Sequence, residues 1–229
     1  MELDAADDID LNDGDPRGLF ARYLDATGQR REHPFTAFRA GETAVPARGM
    51  LFPADPAHPA ALTYLDVGAE VHATGGLPPG RYPVWLRVEA NPQGDPHVVL
   101  AVVPFGHKPP VRWTADARKA CPIRSDLLCL GPVTADPRTR LHLLALARPE
   151  IHRRGLREPG VAGLIDRALA TAPAVAPLPG AFRKGWQVLG DPATGAELIG
   201  LLTSAHHGVQ SIGVAADGSV AAYVLDLTT

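Results

Sequence analysis

The chain has 229 residues, of which 23 are Gly and 23 are Pro, about a fifth of the total against a usual share of roughly 12%. That excess argues against a helix bundle or a coiled coil, while 45% apolar residues supply a core and argue against a disordered chain. The formal charge of −3 conceals an acidic start: residues 1–16 carry seven acids and no Lys or Arg, and the other 18 acids face 22 bases, too slight and scattered an excess for a nucleic-acid groove.

The chain opens with an acidic stretch rather than the basic and then apolar run of an export signal, and no apolar stretch approaches the roughly 20 residues of a bilayer crossing. Neither export nor a membrane partner is expected. Cys121 and Cys129 are too few for a disulfide scaffold or a structural zinc site, so a reducing cytoplasm is the expected compartment. The bias toward Ala, Arg, Pro and Gly suits a bacterium of high genomic GC content.

Residues 1–15 read as a flexible acidic arm, and residues 16–229 as a single globular domain with lobes at 16–171 and 180–229. Asp15-Pro16-Arg17-Gly18 ahead of Leu19, Phe20, Tyr23 and Leu24 predicts a helix over about 16–25, with a cap, a proline in the first turn and an apolar face. Residues 26–61 show no sustained period and read mostly as loop. Residues 62–73 permit a strand with a bulge near Gly68.

Strict alternation of Tyr82, Val84, Leu86 and Val88 with Arg81, Pro83, Trp85 and Arg87 predicts a half-buried strand over 81–88, and Pro83 favours a sheet edge. The turn cluster at 91–96 and the β-branched run at 97–104 complete a hairpin. Short strands are expected at 111–113 and 126–130. The apolar run 141–147 fits strand or helix. A second helix follows over 160–171, with Val161, Leu164, Ile165, Ala168 and Leu169 on one face, and prolines make 172–180 a stiff connector. Strands at 186–189, 197–204, 211–215 and 219–227 close the chain, the last two joined at Asp217-Gly218, where a type I′ turn would need positive φ at both residues. The expected fold is α+β, mainly β, with one or two antiparallel sheets and two helices packed on one side.

Candidate sites are few. Asp8 to Gly14 resembles a calcium loop, but the glycine comes one position late and no Glu closes the twelfth position, so a solvated acidic arm is the simpler reading. His206-His207 would need further ligands from elsewhere, since adjacent residues in an extended segment point apart. Ser204 with one of these histidines and Asp126 or Asp217 makes a triad only on paper, outside any G-x-S-x-G elbow. Cys129 reads as a buried small hydrophobe. Residues 75–80 lack the lysine and following helix of a phosphate loop. The best ligand-binding candidate is Ser204, His206, His207 and Gly208, and Trp85 with Arg87 on the outer face of the hairpin is the candidate interface. No metal or cofactor is expected.

Gly80-Arg81-Tyr82-Pro83-Val84-Trp85-Leu86, then Val111-Arg112-Trp113, then Thr203-Ser204-Ala205-His206-His207-Gly208 leading to Gly213, Asp217-Gly218 and a last apolar strand, resemble the bacterial DUF4241 family in order and approximate spacing over residues 80–229. Ser204 matches the family serine and Cys129 the family cysteine, whereas His206-His207 stand where the family has a Gly-Asp-Gly loop. The resemblance brings no established reaction. It implies a protein whose distinctive loop lies at 203–208. The expected function is a protein-interaction or immunity-type binding module with another protein as partner. The alternative is a small hydrolase or ligand-binding domain with its pocket at 204–208.

Overall fold

The computed structural model describes residues 16–29, 33–46, 51–58, 77–115, 121–132, 134–156, 159–171, 174–176 and 178–228. The acidic arm at 1–15, its calcium-like loop and the expected strand at 62–73 lie outside these residues. Among the described residues there are three helices, α1 (Arg17–Thr27), α2 (Pro137–Arg154) and α3 (Val161–Leu169). The first seven strands are β1 (Thr36–Val45), β2 (Leu51–Ala54), β3 (Gly80–Ala90), β4 (Pro96–Pro104), β5 (Arg112–Ala115), β6 (Cys121–Pro122) and β7 (Leu127–Pro132). Four more follow, β8 (Trp186–Gly190), β9 (Glu197–Leu202), β10 (His207–Val214) and β11 (Val220–Asp226).

The strands form two antiparallel sheets. The larger runs β1-β3-β4-β11-β10-β5, with β6 also paired to β10, and the smaller runs β2-β7-β9-β8. Both sheets therefore combine strands from before and after 172–180. The sheets face each other across a core in which Val84, Leu86, Val103, Tyr223 and Leu225 of the larger meet Leu128, Leu130, Ile199 and Leu201 of the smaller. Their outer faces are apolar too. Leu100, Val102, Ala222 and Val224 seat α1 through Leu19, Phe20, Tyr23 and Leu24. On the far side, Leu127, Cys129, Leu198 and Leu202 seat Leu143, Ala147 and Ile151 of α2 with Val161 and Ile165 of α3.

The molecule is thus layered helix, sheet, sheet, helix pair, an α+β protein that is mainly β. The expectation of two helices on one side is corrected: three helices are present among the described residues, and they flank the sandwich on opposite sides. The added helix is α2, which absorbs the ambiguous run 141–147. Asp136 caps it by accepting from the Arg138 N–H at 3.1 Å, Pro137 occupies the first turn, and His152, Arg153 and Arg154 lie at its negative end. Its buried residues Leu143, Leu144, Ala147 and Ile151 fall on one helical face.

The loop expected at 26–61 contains β1 and β2. In β1 a register shift between Arg39 and Gly41 breaks the two-residue alternation that marks a strand. β1 covers the side of β3 that Pro83 had suggested was an edge. Pairing of β3 with β4 begins only at Trp85, however, so Pro83 lies where β3 has β1 alone as neighbour. The last hairpin forms as expected around Asp217-Gly218, but only Gly218 has positive φ (84°), and the turn closes through Ala215 and Ser219 at 2.9 Å rather than as a two-residue type I′ turn. Among the described residues no helix is long and apolar enough to cross a membrane.

Candidate functional site

A groove of about 390 Å³ opens where the start of β1, the end of β3, the β3–β4 turn and the loop before β8 converge. Phe35, Phe38 and Val88 supply its apolar walls, Glu89 a buried polar one, and Arg183 with Lys184 its rim. Each wall is fixed from beneath. The Phe35 ring meets Phe20 of α1 edge-on at 6.2 Å and carries the Arg87 guanidinium 4.0 Å from its centroid. Phe38 packs on Trp186 of β8, with ring centroids 6.3 Å apart.

The rim is held by an unusual backbone. Phe182 has a φ of 58° yet is 2% exposed, its ring lying against Gly200 of β9. A left-handed aromatic residue costs on the order of 1–3 kcal/mol, which burial of the ring offsets. Gly185, φ 85°, lets the loop approach so closely that a Cβ there would lie 3.0 Å from the Pro96 carbonyl oxygen. Anchored at both points, the loop projects Arg183 and Lys184 into solvent. Lys184 Nζ stands 5.5 Å from the centroid of the Phe38 ring, and neither cation has an ion-pair partner among the described residues. On the other side of the turn, Arg153 grips Asp95 with two hydrogen bonds of 3.0 and 3.2 Å, and Arg154 donates to the Pro96 carbonyl at 2.7 Å. The Asp95 carboxyl is held below its ordinary range by those Arg153 hydrogen bonds.

The expected interface pair is not an exposed face. Arg87 is 3% exposed and bound to Glu89 at 2.9 Å, and Trp85 is half-buried against α1. Alternation placed both residues correctly on the face away from the core, but that face is covered by α1, and Arg87 serves the wall of the groove from within.

The expected ligand segment is the loop leading into β10 together with the first two residues of that strand. Ser204 and His206 are exposed, His207 pairs with Pro122 and Gly208 with Cys121, and the His206 carbonyl accepts from the Ile123 N–H at 2.8 Å. Gly208 is a packing glycine rather than a hinge, because a Cβ there would lie 2.8 Å from Leu225 Cδ1. Among the described residues no cluster of three His, Cys, Asp or Glu is placed to hold a metal ion. Asp217 sits at the far tip of β10, roughly 25 Å along the strand from Ser204, and is bound to Lys108 and Ser219. Burial pushes the Cys129 thiol up, opposite to what a nucleophile needs.

Other buried acids hold loops. Asp55 accepts from the Ala57, Arg124 and Ser125 N–H groups and from the Ser125 hydroxyl. Burial alone would raise the Asp191 carboxyl, but N–H donors from Asp136, Ala193 and Thr194 outweigh it and hold it low. The groove residues themselves went unread in the sequence. The available signal was the Arg183-Lys184 pair between Gly180 and Gly185, a basic turn around one buried aromatic.

No family model matches the chain, and no curated protein or solved structure matches it.

Proposed function

We propose that this chain acts by binding, as a protein-interaction module of the bacterial cytoplasm, and that the groove between Phe35, Phe38 and Lys184 receives an acidic, partly apolar segment of a partner protein. The observation that carries the reading is the rim: two exposed cations, without acidic partners among the described residues, stand over aromatic walls on a rigid double sheet. Apolar side chains gain by entering such a groove, and carboxylates beside them complement Arg183 and Lys184. The partner is met in extended form, because the groove follows the ends of paired strands. Immunity-type binding of a hostile protein is one biological form of this chemistry.

Fluorescence anisotropy with a labelled hexapeptide of alternating Asp and Phe tests the groove. Saturable binding that weakens roughly tenfold or more in the Arg183→Glu, Lys184→Glu variant is expected, and more salt should weaken it further. Binding that is indifferent to the charge reversal would overturn the assignment.

A further inference from the structure

We infer that the groove's resident occupant is the acidic leader of the same chain, residues 1–15, which a partner must displace; this rests on the groove being the binding site proposed above. The leader holds seven acids and no base, interleaved with Leu3, Ile9 and Leu11, the composition selected by aromatic walls under two cations without acidic partners among the described residues. Position supports the match. The leader joins the fold at Pro16, four residues or about 6 Å of helix from Phe20, and the Phe20 ring touches Phe35, a wall of the groove, at 6.2 Å.

Fifteen residues reach up to about 50 Å when extended, far more than this short path needs. A tether of that length gives an effective concentration in the millimolar range, so even an individually weak peptide holds the site when attached. Docking in cis makes the groove selective: a partner binds only if its segment outcompetes the leader, and raised salt weakens both.

Two measurements on the full-length chain test this. First, Ala6→Cys is labelled with a nitroxide, Cys121 and Cys129 both being fully buried. The label should broaden the backbone amide signals of Phe38, Ala90 and Lys184, and the broadening should disappear in the Arg183→Glu, Lys184→Glu background. Second, the Asp-Phe hexapeptide should bind roughly tenfold more tightly when the seven leader acids are changed to their amides. Broadening that is absent at these amides, or that survives charge reversal, overturns docking in cis. If the hexapeptide binds both chains equally, the groove stands as a partner site and the leader is not its occupant; if it binds neither, the groove assignment itself fails.

Discussion

The guanidinium of Arg87 lies 4.0 Å from the centroid of the Phe35 ring and so joins the larger sheet to the wall of the groove. From the same side chain Nε donates to Glu89 at 2.9 Å, and the two charged side chains are only 3% and 4% exposed. A cation stacked and paired this deeply is a fixture of the wall.

Arg87→Ala is therefore expected to destabilise the protein by about 3–5 kcal/mol, since it removes the buried guanidinium paired with Glu89, whereas Arg87→Met combined with Glu89→Leu should recover most of that loss. Urea unfolding of the single and double variants measures it. An unmoved midpoint for Arg87→Ala would contradict the buried pair.

Gly208→Ala should cost about 1–3 kcal/mol, because the added methyl has to displace Leu225 and Leu227, while His206→Ala should stay within about 0.5 kcal/mol at its exposed position. If His206→Ala proved the more damaging change, segment 204–208 would be something other than an exposed lead-in to the packed Gly208 of β10.

Much of the β framework could be read from local signals. The alternation from Tyr82 to Val88, the turn at 91–96 and the Asp217-Gly218 hairpin each rest on residues close in sequence, and each formed. What could not be read depends on distant contacts. β1 became a strand by pairing with β3 in spite of its bulge, and the run 141–147 became helix because Leu143 and Ala147 found Leu127 and Leu198 beneath them. Arg87 was assigned the correct face, yet its burial depends on the Phe35 ring, which comes from a segment far earlier in the chain. For the same reason the groove is invisible in sequence: its walls come from three stretches far apart in the chain.

Tyr23→Phe is expected to cost about 1–3 kcal/mol and to speed amide exchange throughout α1. The Tyr23 hydroxyl donates to Asp226 Oδ2 at 3.0 Å and lies 3.3 Å from Ser211 Oγ, beneath the helix, and Asp226 is 1% exposed. Wild-type exchange rates in α1 of the variant would show that the helix is held by its apolar face alone.

Alkali should destabilise the fold. Burial raises the Cys129 thiol and, with the nearby Asp226 charge, the Tyr23 phenol. Unfolded thiols lose their protons above about pH 8.5 and unfolded phenols above about pH 10, while the buried groups keep theirs, so in that range the native state binds more protons and stability falls as pH rises. Urea midpoints should decline from about pH 8.5 upward, with the first part of the decline removed in Cys129→Ala. A midpoint that is constant or rises across that range would refute the assignment.

β11 occupies the middle of the larger sheet, between β4 and β10, and Tyr23 of α1 bonds to Asp226, 203 positions further along the chain. The seat of the first helix therefore does not exist until β11 has been made. At roughly 5–20 residues per second, α1 waits on the order of ten to forty seconds on the ribosome with Leu19, Phe20 and Leu24 uncovered. Assembly of the sandwich is accordingly a late event governed by long-range pairing, and during that interval the emerging chain exposes apolar surface and unpaired strand edges of the kind that chaperones shield.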